Sequence, residues 1–167
     1  MCMEISFSVA YDEHIPTGKN IITRDASILF EPSPSIEAFS IHPYHWSFEL
    51  TTQKLSETQY LLRYALGSMC FLNCEFTKIA IPESKRGKVF ATLTLPPCAD
   101  GIYYNKYHTF LAKKYYDKKE HIFAVGDIKA TQCKCIEIAS GQFVLISDCG
   151  ELVAAYIRIN RLDCLLN

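Results

Sequence analysis

Glycine and proline are scarce in this chain, seven of each in 167 residues, and nowhere do the glycines gather into a phosphate-cradling loop. Gly18-Lys19 carries only the tail of such a motif, with no glycine upstream and Asn20 after the lysine, and reads as a turn. No apolar run approaches the ~18 residues of a membrane span, and no lipidation motif closes the C-terminus. Met1-Cys2-Met3-Glu4-Ile5-Ser6 has neither the basic region nor the apolar stretch of a secretion signal, so a cytoplasmic protein with no membrane partner is expected. An excess of either charge is missing as well. Lys+Arg number 17 and Asp+Glu 18, a formal charge of −1 that excludes a generally cationic coat for nucleic acid, whose affinity comes from neutralised phosphates.

What is present is the composition of an ordinary globular protein, 49% hydrophobic and 13% aromatic, which excludes disorder. The length suits a single domain over 1–167, with no linker or internal repeat to divide it. Met3, Ile5, Phe7 and Val9 alternate with Glu4, Ser6 and Ser8, the period of a half-buried strand. Two segments read as helices. Ser56 and Gln59 make a capping-box pattern ahead of Tyr60, Leu61, Tyr64 and Ala65, predicting a helix near 57–67. Tyr104, Tyr107, Leu111 and Tyr115 share one helical face, predicting a second over 101–119. Cys70–Ile81 and Val89–Leu95 suggest a hairpin about a basic turn, Lys85-Arg86-Gly87-Lys88, and the C-terminal segments suggest a β-meander. The expected class is therefore α+β: a mostly antiparallel sheet with two helices.

Eight cysteines are available for chemistry, and in a reducing compartment they are expected as free, mostly buried thiols. Cys133-Lys134-Cys135 puts two sulfurs on one face of a strand, a metal candidate that Cys70 and Cys74, with His121 or His108, would complete. The spacing is unlike the CxxC turn of structural zinc sites, and no metal or other cofactor is expected. Cys98, between Pro96-Pro97 and the second expected helix, is the thiol best placed for activation, with His45 or His108 as base. His45-Trp46-Ser47-Phe48 resembles the H-x-[S/T]-hydrophobic element of two-histidine phosphoesterases. That family uses two copies, one imidazole as base and one as acid, and the second copy is missing here.

Charge along the chain is uneven. Residues 1–60 hold three basic and eight acidic side chains, residues 61–120 ten and five, and residues 121–167 four and five. Gly101–Glu120 packs five tyrosines and five lysines into twenty residues, and Tyr103 and Tyr116 fall off the expected buried face. Surface tyrosines beside lysines anchor protein interfaces or stack on exposed bases. The expected partner-binding set is Tyr103, Lys106, Lys113, Lys114, Tyr116 and Lys118, joined by Lys85, Arg86 and Lys88. The function this pattern suggests is a non-enzymatic interaction module, of immunity or inhibitor type, that blocks another protein such as a toxin or an enzyme. The alternatives are a small enzyme using a Cys/His pair and, less favoured, a single-stranded nucleic-acid binder.

Overall fold

The computed structural model describes residues 5–35, 39–41, 48–68, 74–95 and 113–163. Fourteen strands lie within them: β1 Ile5–Tyr11, β2 Lys19–Ile22, β3 Ser27–Glu31, β4 Ser40–Ile41, β5 Phe48–Lys54, β6 Gln59–Ser68, β7 Cys74–Phe76, β8 Ser84–Leu93, β9 Lys114–Asp117, β10 Ile122–Gly126, β11 Cys133–Ala139, β12 Gln142–Ser147, β13 Leu152–Arg158 and β14 Arg161–Leu162. They form one mixed sheet, in the order β14, β2, β3, β6, β8, β11, β12, β13, β10, β9, β7, curled into a half-barrel. β1 pairs with β8, and β5, which carries β4, pairs with β6. Three pairs are parallel: β8 with β11, β9 with β7 and β14 with β2. No helix occurs among the described residues, so the expected α+β class gives way to a mostly-β one.

The curl is made by β8. Its first residues, Ser84 to Arg86, pair with β11, whereas Gly87 to Leu93 pair with β1 and Phe90 to Thr92 also face β6. One strand therefore belongs to both halves of the sheet. Gly87 sits at the changeover, where a Cβ would stand 2.8 Å from the Ala10 carbonyl and 3.1 Å from the Ile136 side chain. Lys85-Arg86-Gly87-Lys88 is thus the body of a strand, and the turn expected there does not exist.

The helix expected near 57–67 is strand β6, and a bulge explains the false period. Thr51 faces Tyr64 but Thr52 faces Leu62, so Arg63 is the extra residue. Tyr60, Leu62 and Ala65 join the main core, and Tyr64 packs with Phe30 and Ala139 in a separate cluster. The inward phase flips at Arg63, and burial on both sides leaves the i, i+4 spacing of a helix. Ser56 does cap an amide three residues on, accepting from Gln59 N–H at 3.0 Å, but it closes the β5–β6 hairpin. In the second expected helix, residues 101–112 lie outside the described residues, and 114–117 is strand β9.

Inside the curl, β1 to β13 all contribute to one core that includes Phe7, Phe48, Tyr60, Tyr116, Phe123 and Ile157. The outer face of the C-terminal half is covered too. Ile79, Phe143, Leu145 and Tyr156 form a second cluster there, flanked by Ile81 and Ile128 from the irregular segments 77–83 and 127–132. Burial on both faces explains why Ile122–Gly126 is buried at every position rather than alternately. Gly150, at a φ of 78°, turns β12 into β13, and its carbonyl accepts from Phe7 N–H at 2.9 Å.

The two halves meet again where no ladder joins them. Gln142, 1% exposed, receives the Ala65 N–H on Oε1 at 2.5 Å and donates Nε2 to the Ala65 carbonyl at 3.1 Å. Its amide supplies the donor and acceptor that a neighbouring strand would give that edge of β6. Nε2 also donates to Asn20 Oδ1 at 2.8 Å, and Asn20 Nδ2 donates to the carbonyls of Ser140 (2.8 Å) and Arg158 (3.1 Å). Asn160 completes the seam by accepting Asn20 N–H on Oδ1 at 2.8 Å.

Candidate interaction surface

The Tyr/Lys-rich segment enters the described residues at Lys113, and its position at the end of the sheet decides what it presents. β9 lies between β10 and β7, so alternate residues point to opposite faces. Tyr116 is fully buried in the main core, and Tyr115 is half-buried on the outer side. The expected surface ring at Tyr116 is therefore corrected: the strand period, not a helical one, sets its direction. Lys114 is buried as well, whereas Lys113 and Lys118 are exposed. Tyr103 and Lys106 lie outside the described residues.

Phe76, which the sequence reading did not single out, is the ring that reaches the surface. It stands at the end of β7, 46% exposed, with its ring nearly perpendicular to that of Tyr116 at a centroid distance of 6.5 Å. Lys118 Nζ lies 4.2 Å from the Phe76 centroid, within the range of a cation–π contact. Around this pair is a hollow of about 450 Å³ lined by Lys78, Lys119 and Glu120 among others. Lys78, Lys118 and Lys119 are exposed, against Glu75 and Glu120 of opposite sign.

Asp117 makes this shelf rigid. Its buried carboxylate accepts Ile79 N–H at 2.9 Å on one oxygen, and Lys119 and Glu120 N–H at 3.0 Å each on the other. One side chain thus pins both the segment leaving Phe76 and the turn carrying Lys118. These three amides, Ile79 first, hold the Asp117 carboxyl below the ordinary carboxylate range. Thr77 N–H donates to the Tyr116 carbonyl at 3.1 Å, and the Tyr116 hydroxyl meets His121 Nδ1 at 3.1 Å. Phe76 is visible in the sequence only as one of ten phenylalanines.

The other basic residues stand elsewhere. Arg86 pairs with Glu137 at 3.5 Å, Lys88 with Asp12 at 3.2 Å, and Lys85 lies over the Tyr11 ring at 5.0 Å. Four strands separate β8 from β9, about 24 Å along the sheet at the usual interstrand spacing. The basic middle third is therefore two separate groups, and the one on β8 is matched by local partners.

The sulfur candidates divide in the same way. Cys133 and Cys135 do share the outer face of β11, but Cys74 belongs to the inner core, so the sheet lies between them. Burial pushes the Cys135 thiol up to about 11, with Glu137 adding to the shift, and burial with Asp148 and Asp127 raises Cys133. Such thiols resist ionisation and are poor ligands and nucleophiles. No group of three metal-ligating side chains occurs among the described residues. Cys98, His45 and His108, with Cys70, lie outside the described residues. Among the described residues no helix is long and apolar enough to cross a membrane. With iodoacetamide near pH 8, the exposed Cys149 should alkylate at least about tenfold faster than Cys135, checked by peptide mass spectrometry over time.

The chain matches no protein-family model, and no curated protein matches it significantly.

Proposed function

We propose that this protein is a non-enzymatic binding module, of immunity or inhibitor type, that occupies the surface of another protein. The observation that carries the reading is the exposed Phe76–Lys118 pair on a shelf pinned by Asp117. A rigid aromatic beside cations gives large contact area at small entropic cost, and buried aromatic anchors dominate interface energies. Lys78, Lys118 and Lys119 favour an acidic partner surface, which they would also steer toward encounter. The reading places the protein in a reducing cytosol, where Cys74, Cys133, Cys135 and Cys149 stay as thiols.

The test is capture from extracts of the native host on immobilised full-length protein, comparing wild type with Phe76→Glu and with Lys54→Ala in the distant β5–β6 hairpin. Wild type and Lys54→Ala should retain one stoichiometric protein, and Phe76→Glu should weaken its binding by about 30-fold or more. Phe76 is 46% exposed, so its substitution should cost about 1 kcal/mol in stability, which leaves the protein folded. Retention of nothing by wild type, or of the same protein equally by Phe76→Glu, would sink the reading.

A further inference from the structure

A second concavity, outside the Phe76 shelf, opens on the outer face where the two halves of the sheet meet. It is a cleft of about 480 Å³ between the end of the segment that covers the outer cluster and the Ser140-Gly141 turn. Ile81, Pro82 and Phe143 give it an apolar wall, and Glu83, Arg158 and Asn160 stand around it. Glu137 also lines it, but its carboxylate is occupied, accepting Gly141 N–H at 3.1 Å and facing Arg86 at 3.5 Å. Glu83 and Arg158 differ: neither side chain has an ion-pair or hydrogen-bond partner among the described residues. Asn160 spends Oδ1 on Asn20 N–H, and its NH2 likewise has no partner among them.

The frame holding these groups is fixed. Arg158 N–H donates to the Gly141 carbonyl and Asn160 N–H to that of Asn20, both at 2.8 Å. On the other side, Ile79 is tied to Asp117, and Ser84 enters the ladder with β11. A cleft with a carboxylate and a guanidinium that are unpaired among the described residues, and an apolar wall held on rigid backbone, is complementary to a molecule carrying both charges and a hydrocarbon group. Its volume lies within the range of small-molecule sites.

We propose that this cleft binds a free α-amino acid with an apolar side chain. Arg158 receives the carboxylate, with the Asn160 amide as a further donor, and Glu83 receives the ammonium. The hydrocarbon lies against Ile81, Pro82 and Phe143. The inference stands apart from the protein-binding reading, since the two sites share no lining residue.

Amide NMR on the full chain tests it, following Glu83, Gly141 and Asn160 during titration with L-leucine to about 10 mM, with isopentylamine and 4-methylpentanoate as its singly charged counterparts. Leucine should give saturable shifts at these amides, and each counterpart should bind at least about tenfold more weakly. Arg158→Gln should erase the advantage of leucine over the amine, and Glu83→Gln its advantage over the acid. Both residues are exposed, and the same spectra report whether each variant is folded. Absence of saturable shifts with leucine would overturn the proposal. So would equal affinity for leucine and either counterpart, or tighter binding of maltose at the same amides.

Discussion

Replacing Gln142 by leucine should destabilise the protein by about 4 kcal/mol, although the two side chains are of similar size and the site is 1% exposed. The physical reason is what stays behind. Leucine cannot accept the Ala65 N–H, cannot donate to the Ala65 carbonyl, and leaves Asn20 Oδ1 without its donor. Each stranded buried group costs roughly 1–3 kcal/mol, and burying a hydrocarbon in place of the amide returns only about 1 kcal/mol of the total. A domain of this size has about 5–15 kcal/mol to lose, so the variant would remain folded with roughly 1–11 kcal/mol in reserve. Urea unfolding followed by circular dichroism checks the value. A loss below about 1 kcal/mol would mean that the amide does not hold the halves together.

Asp117→Asn should cost about 2–3 kcal/mol near neutral pH and should flatten the acid limb of the stability curve. The Asn amide keeps one acceptor oxygen for Lys119 and Glu120 N–H but turns an NH2 toward the Ile79 N–H, setting donor against donor. In the wild type the folded carboxyl titrates below its ordinary value of 3.8. Between that value and the lower folded one, the unfolded chain binds more protons, so this contribution is complete above the ordinary range and is lost as pH falls. Denaturation series between about pH 6 and pH 2.5 should therefore converge for the two proteins at the acid end. Parallel curves throughout would show that Asp117 is not the group responsible.

A strand with one exposed face shows in the sequence as alternation, and a strand buried on both faces shows only as a β-rich run. The alternation of Ile5, Phe7 and Val9 is visible because β1 has one exposed face, with Ser6 and Ser8 on it. In the C-terminal third, β11, β12 and β13 lie where alternating or β-rich runs suggested strands, and they pair antiparallel in succession. β6 carries the spacing of a helix because of a bulge at Arg63 and burial on both sides. A different cause hides the site: Tyr116 points inward because β9 alternates, and Phe76 surfaces because β7 is a three-residue strand at the end of the sheet. Pairings such as Ile5 with Leu93 depend on contacts far apart in the chain, for which local periodicity carries no signal.

The pairing of β2 with β14, and of Asn20 with Asn160, also sets an order of events in the cell. The partners are 140 residues apart in sequence, so at about 5–20 residues per second the ribosome needs roughly 7–28 s between delivering one and the other. Throughout that interval β2 is a nascent strand lacking the neighbour that will cover it, and β1 likewise waits for β8. Fusion of the chain to a stalling sequence just before Arg161 should therefore yield ribosome-bound protein more readily cut by protease within 19–31 than the full 167-residue chain released.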